Sequence, residues 1–389
     1  MVGASGPVLT GADVALVPAR FVADPFVVRR DGTWYLFFEL LNAVTGQGDI
    51  GLATSRDGKS WTYDRVVLDE PFHLSFPYVF EWQGAWYMLP EMARSGALTL
   101  YRAVEFPTRW EPHCQLLEGA YVDSLLLPHA GCWWLFTTPR GTKELQLFLS
   151  DTPCGPWTLH PGSPLIRNNG HITRGGGRMI VYQGTPLRFT QDVEPTYGNA
   201  LRVFRITTLT ATHYAEEAGA GAPLLSATGR GWRAWGMHHV DPVEVRSNLW
   251  QAVVDGVGPS FPDTPLDAVF ANGVHLDGVS VRPRQVKAGG HVLLRYFLSG
   301  QPQSFPPGLA AFVHFGPRGE RFVFQGDFGL IPGRDFYEAL VEIPSNAPPG
   351  NYEMRFGLHV PETGQRVPLT SRWRKEDCRV RRVLRVDRP

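Results

Sequence analysis

Three carboxylates in the first half of this chain have the type and spacing to work on a glycosidic bond. They are Asp24 in Ala-Asp-Pro-Phe, Asp123 in Val-Asp-Ser-Leu, and Glu194 in Gln191-Asp192-Val193-Glu194-Pro195. Cleaving such a bond needs one carboxylate to activate water or attack, and one protonated carboxyl to protonate the leaving oxygen. A third nearby raises the acid's pKa by like-charge proximity. Asp24 and Asp123 each open a strand, so both should reach a common axis. Glu194 sits in a loop that leads into the strand from Ala200. Glu91 and Asp192 are rival acids, because each also stands at a hairpin end. The plain alternative for Asp24 is that an Asp before Pro only caps a turn.

Other side chains suit sugar binding. Arg174, Arg178, Arg188 and Arg202 cluster in one stretch, and an Arg fork binds the carboxylate or hydroxyls of an acidic sugar. Among the tryptophans, Trp86 and Trp235 offer stacking faces, although packing between sheets accounts for most such residues. His238 and His239 adjoin Asp241 without a third ligand at metal spacing, so one of them is expected in a polar role at the axis and no metal site is assigned.

The elements that must position these residues recur. Trp34-Tyr35-Leu36-Phe37-Phe38-Glu39 is echoed by Trp86-Tyr87-Met88-Leu89-Pro90-Glu91 and by Trp133-Trp134-Leu135-Phe136-Thr137-Thr138. Each run closes a hairpin whose first strand opens on a marked residue: Asp24, Phe76 or Asp123. Two further openings fall near Arg174, before a glycine run, and near His238. A period of about 50 residues built from four short strands is the signature of a propeller blade, and five openings give five blades. The expected fold class is all-β: a five-bladed β-propeller over 1–254, a Gly/Pro/Ser-rich linker over 255–265, and an immunoglobulin-like β-sandwich over 266–389. In the last segment, His291–Leu298, Ala310–Phe315, Tyr337–Pro344 and Tyr352–Leu358 read as strands at sandwich spacing.

Composition agrees. With 42 Gly, 33 Pro and 12 % aromatic residues in 389, short strands and tight turns are favoured over long helices. Thirty-seven basic residues balance thirty-seven acidic ones, so no global field points at nucleic acid. The basic run Arg372-Trp373-Arg374-Lys375, with Arg379, Arg381, Arg382 and Arg385, reads as a solvated strand edge. No apolar stretch reaches the roughly 20 residues of a membrane helix. Met1 to Leu9 lacks the basic start and apolar core of a signal peptide, so a cytoplasmic location is expected. Cys114, Cys132, Cys154 and Cys378 show no metal spacing, and a reduced chain is the default.

Ala-Asp-Pro-Phe followed by Asp31-Gly32-x-Trp34-Tyr35-Leu36-Phe37-Phe38 resembles the start of the propellers of family-43 glycoside hydrolases. That resemblance implies Asp24 as general base, Asp123 as the residue that orients it and tunes the acid, Glu194 as acid, and His238 as an axial histidine holding water or a calcium ion. No cofactor is otherwise implied. A closer resemblance, through Phe76-Pro77-Tyr78-Val79-Phe80-Glu81-Trp82 to Pro90-Glu91 and Gln191-Asp192 to Arg202, is to the propeller domain of glucosamine inositolphosphorylceramide transferases and of bacterial surface-polysaccharide proteins. Glu91 and Asp192 fit its shared motifs better than Glu194. The C-terminal segment resembles accessory domains of polysaccharide exporters and glycosyltransferases through Phe312-Val313-His314-Phe315. Two readings stay open: an inverting glycosidase (or a glycosyl-transferring relative) acting on a bacterial oligo- or polysaccharide, and a non-catalytic glycan-binding propeller that works with a glycosyltransferase or export system.

Overall fold

A computed structural model describes residues 6–388 except 222, 318–320, 332, 335 and 371–376. The basic run Arg372–Lys375 lies outside the described residues. Its neighbours Arg379, Arg381, Arg382 and Arg385 are exposed on the strand Cys378–Asp387. Apart from three single-turn helices, the described secondary structure is all strand, and among the described residues no helix is long and apolar enough to cross a membrane.

Two compact units emerge. Phe21–Leu41 and Gln47–Pro259 belong to the first; Thr10–Arg20, Asn42–Gly46 and Ser260–Pro389 belong to the second. In the first unit, antiparallel sheets follow one another along the chain. The first sheet runs through Ala19–Arg30, Thr33–Asn42, Gly48–Ser55 and Thr62–Leu68 in that order. Ser75–Trp82, Ala85–Glu91, Ala97–Glu105 and Arg109–Glu118 make the second, and Tyr121–His129, Cys132–Pro139, Gln146–Ser150 and Thr158–Leu159 make the third. The fourth is built on Arg174–Gly175, Thr185–Asp192, Ala200–Leu209 and Tyr214–Ala218, with two short strands added; the fifth is the pair Val240–Arg246 and Leu249–Val254. The three aromatic runs are the second strands of the first three sheets, and most of their residues are buried.

First strands meet in a closed ring, the arrangement of a propeller. Phe26 of the first sheet packs on Phe76 (4.9 Å) and Tyr78 (5.3 Å) of the second. The Tyr78 hydroxyl donates to the Leu126 carbonyl of the third at 2.7 Å. Thr138, on the strand beside it, donates to the carbonyl of Thr173 at the fourth (3.0 Å), and the Val240 amide of the fifth donates to Gly176 (2.8 Å). The ring closes where the Val27 amide donates to Asp241 at 2.6 Å. Glycine is required where these strands crowd. A β-carbon at Gly175 would lie 2.5 Å from the Asp123 carbonyl oxygen, and one at Gly177 (φ +129) 1.7 Å from that of Val240.

The second unit holds two sheets around one core. Thr264–Val269, His275–Arg282, His291–Ser299 and Tyr337–Glu342 form one; Gly350–Val360, Ala310–Pro317 and Cys378–Asp387 lead the other. Leu276, Val292, Leu294 and Tyr296 from the first face, and Val313, Phe315, Met354 and Phe356 from the second, share a single buried cluster.

The expected reduced state does not hold for one cysteine pair. Cys114 on an outer strand of the second sheet is bonded to Cys154 in a turn of the third, 40 residues on. Closing a loop of that length stabilises by about 2–4 kcal/mol through unfolded-chain entropy. Cys154→Ser should therefore lower the melting temperature, and reductant should bring the wild type down to the same value. Calorimetry with and without reductant checks this, and an unchanged melting temperature contradicts it.

Candidate functional site

The residues singled out as strand openings share one backbone state. Asp24 (φ 50), Phe76 (φ 48) and Asp123 (φ 48) are all left-handed, which costs a non-glycine residue energy and persists where the surroundings impose it. Strand pairing slips at two of these points, between Ser75 and Tyr78 and opposite Phe136 to Thr138. Such a bulge re-aims a side chain. The second of these slips falls at Asp123, and both aspartates are buried, Asp24 5 % and Asp123 3 % exposed.

Asp24 stands against an imidazole. Nε2 of His238 is 3.3 Å from its Oδ1, and Nδ1 of His238 is 3.0 Å from Oδ1 of Asp255. Burial opposes a charge on this ring, but Asp255 and Asp24 outweigh it and hold the His238 pKa well above its ordinary value. Burial would likewise raise Asp255, yet His238 and the Asp24 amide keep it low. Each of the three residues brings one donor atom within 4.8 Å of the others. Calcium takes six to eight oxygen ligands, whereas both imidazole nitrogens here face carboxylates, the geometry of a protonated histidine between two anions. His239 is fully buried, edge-on to Phe26 (4.7 Å) and Phe76 (5.2 Å), with Nδ1 3.9 Å from Asp24 Oδ1. Its burial lowers its pKa, so it is neutral.

Asp123 is ion-paired to Arg174 through Nε, and it accepts a 2.8 Å bond from Gln191 Nε2. Glu91 lies beside it: the Asp123 amide approaches Glu91 Oε2 at 3.4 Å, and Arg174 stands 3.8 Å away. Burial, then the negative charge of Asp123, pushes the Glu91 pKa well above the ordinary carboxyl value. Glu39 behaves alike, raised by burial and then by Asp24; it receives Nε2 of His73 at 3.4 Å. The site thus sets two carboxyls with raised pKa values beside carboxylates paired to Arg174 and His238.

A folded-state pKa raised above the unfolded value contributes stability that is present below the unfolded value and lost as pH rises through the folded one. Gln cannot ionise. Glu91→Gln should match the wild type below about pH 4.5, the unfolded value, and gain on it progressively as pH rises. Urea midpoints across pH check this; a gap that shrinks with rising pH contradicts it.

Glu194 does not join this group. Its carboxylate pairs with Lys143 and stands 3.3 Å from His171 Nε2, and the Lys143 bond holds its pKa below the ordinary value, the wrong direction for a proton donor. Asp192 is buried under the same loop. Burial would raise it, but bonds from Arg202 and His171, each 2.8 Å, keep it low.

Several expected ligand contacts are structural. Arg178 reaches Asp241 through Nε (2.7 Å) and Nη2 (3.2 Å), donates to the Val79 carbonyl (2.8 Å), and lies over the rings of Phe26 and Tyr78. It ties inner strands together. Arg188, wholly buried, forks onto Glu216 (2.9 Å through Nε) and donates to the Ile172 carbonyl. Trp86 is stacked on Phe106 at 4.5 Å and buried. Arg174 is paired with Asp123. Trp235 remains 58 % exposed.

Sequence reasoning missed three residues. Glu39 occupies the place in the first aromatic run that Glu91 occupies in the second, a signal present in the repeats themselves. Asp255, read as the first residue of a linker, is buried against His238. Tyr197, in the loop after Asp192, carries its ring over the Arg174 guanidinium at 5.2 Å and beside His238 at 5.4 Å; no local pattern marked it.

A ring of sheets with buried carboxylates among its first strands is the arrangement of a propeller domain. The chain belongs to the family described as "Glucosamine inositolphosphorylceramide transferase 1, N-terminal", which matches residues 2–257. It is 37 % identical over 263 residues to glucosamine inositolphosphorylceramide transferase 1 of Oryza sativa subsp. japonica, covering 65 % of this chain and 35 % of that protein. To the Arabidopsis thaliana protein of the same name it is 37 % identical over 266 residues, covering 65 % and 34 %. The chain therefore spans about a third of the length of the curated relatives it matches. Among solved structures, a thermostable family-43 glycoside hydrolase aligns with TM-score 0.41 and 14 % identity, over 53 % of this chain and 76 % of that one.

Proposed function

We propose that the first unit is a five-bladed propeller acting as a glycoside hydrolase-like enzyme on an oligo- or polysaccharide, with inversion at the anomeric carbon. One observation carries this reading: Asp24, ion-paired to His238, shares a site with Glu91, whose proton is retained through burial and the charge of Asp123. Asp24 takes a proton from water as the water oxygen bonds to the anomeric carbon. The glycosidic C–O bond breaks, and Glu91 gives its proton to the leaving oxygen. Asp123, fixed by Arg174 and Gln191, keeps Glu91 loaded. Glu194 has no part in this scheme. The test is a screen for hydrolysis of aryl-glycosides and bacterial polysaccharides with Asp24→Asn as control; Asp24-dependent release of reducing sugar supports the proposal.

A second reading is favoured by the relatives. In proteins named as transferases the matching region is about a third of the length, which suits a glycan-binding propeller, with the immunoglobulin-like sandwich as accessory, that presents substrate to a glycosyltransferase or export partner. Glycan binding without turnover on any substrate would select it.

A further inference from the structure

We infer that Tyr197 is the stacking floor for one uncharged sugar ring, set over the two cationic groups that hold the site's aspartates. The inference rests on the glycan reading above and names the sugar that this site takes.

Tyr197 is 59 % exposed, yet its ring lies against Arg174 and His238, both largely buried. Arg174 holds Asp123 and His238 holds Asp24, so one aromatic ring spans the partners of both aspartates. The loop that carries it is anchored. The Asn199 amide donates to the Asp192 carbonyl at 3.0 Å, and the Val193 amide to that of Gly170 at 3.1 Å. Gly198 (φ +70) rests on His238, where a β-carbon would lie 3.4 Å from its Cβ; one at Gly236 would lie 2.2 Å from the Gly198 carbonyl oxygen. The ring is thus presented to solvent by a backbone packed close beneath it.

An aromatic face is electron-rich. The Arg174 guanidinium occupies one side in cation–π geometry, and the open side suits the C–H face of a pyranose. Charge decides the class of sugar. The cations touching this floor are already committed, Arg174 to Asp123 and His238 to Asp24 and Asp255. A uronic acid placed here would meet Asp24, Asp123 and Glu91 while the two cations in contact with the ring are already paired, so the ring above Tyr197 carries no carboxylate.

The experiment is calorimetric titration of the full chain with neutral cello-, manno- and galacto-oligosaccharides and with oligogalacturonate, for the wild type, Tyr197→Ala and Tyr197→Phe, each checked for an unchanged melting temperature. A neutral oligosaccharide should bind, Tyr197→Ala should weaken it by about tenfold, and Tyr197→Phe should stay within about threefold, since the stacking face and not the hydroxyl is at stake. Oligogalacturonate should not bind. Equal affinity of Tyr197→Ala and wild type, or preference for oligogalacturonate, overturns the inference and leaves the glycan reading intact. If no probe of either charge binds the wild type, the glycan reading falls and takes the inference with it.

Discussion

Asp24→Asn should lower turnover by about two to four orders of magnitude, the range for loss of a general base, while glycan affinity stays near that of the wild type. Asn is among the few residues at ease in the left-handed conformation that Asp24 adopts, so the backbone bulge should survive. Its amide can still meet His238, but it cannot take a proton from water. Measuring turnover and affinity on the same variant separates chemistry from binding. Unchanged turnover would remove Asp24 from the mechanism, and loss of both together would mark it as a binding residue.

Arg178→Met should cost about 3–5 kcal/mol of stability, the penalty for leaving a buried charge without its partner. Asp241 is fully buried and bonded by two Arg178 nitrogens, and the Val79 carbonyl would lose a donor as well. Because Asp241 also receives the Val27 amide where the ring of strands closes, the loss should be felt across the whole unit. Arg178→Met with Asp241→Leu should recover part of the deficit, since replacing both members of a buried pair by apolar groups is far milder than removing one. Urea midpoints for the two variants check this. Equal stability of wild type and Arg178→Met would contradict a structural role and return Arg178 to the ligand candidates.

Much of the fold was legible because each sheet repeats the same local demands. An aromatic run makes the second strand, and a polar or aromatic residue ahead of it, often before Pro, lies within the first, in mid-strand for Asp24 and near the start for Phe76 and Asp123. Asp24, Phe76 and Asp123 were picked from that spacing alone, and all three proved to share one unusual backbone state. What could not be read is which charges face each other. Arg178 meets Asp241, 63 residues on, and Arg188 meets Glu216 across two strands; neither pairing has a local signature. An arginine-rich stretch therefore looked like a ligand clamp when its members were already paired inside the protein. Asp255 was hidden by the Gly/Pro-rich composition of the residues after it, although its own carboxylate is held by His238. Cys114 and Cys154 lie on different sheets, so their spacing carried no hint that they meet. Glu39 is a different case: it ends the first aromatic run as Glu91 ends the second, so the repeat itself carried the signal.

The central claim is that this site holds the Glu91 proton to a higher pH than an ordinary carboxyl does, beside ion-paired carboxylates. Side-chain carboxyl titration by carbon-13 NMR, assigned with Glu91→Gln, Glu39→Gln and Glu194→Gln, tests it without any assumption about substrate. Glu91 and Glu39 should titrate well above 4.5 and Glu194 below it. The Glu91 midpoint should fall in Asp123→Asn, because the negative charge that helps hold its proton is then gone. If Glu91 and Glu39 both ionise at or below 4.5, the site holds no acid and the hydrolase-like mechanism is wrong.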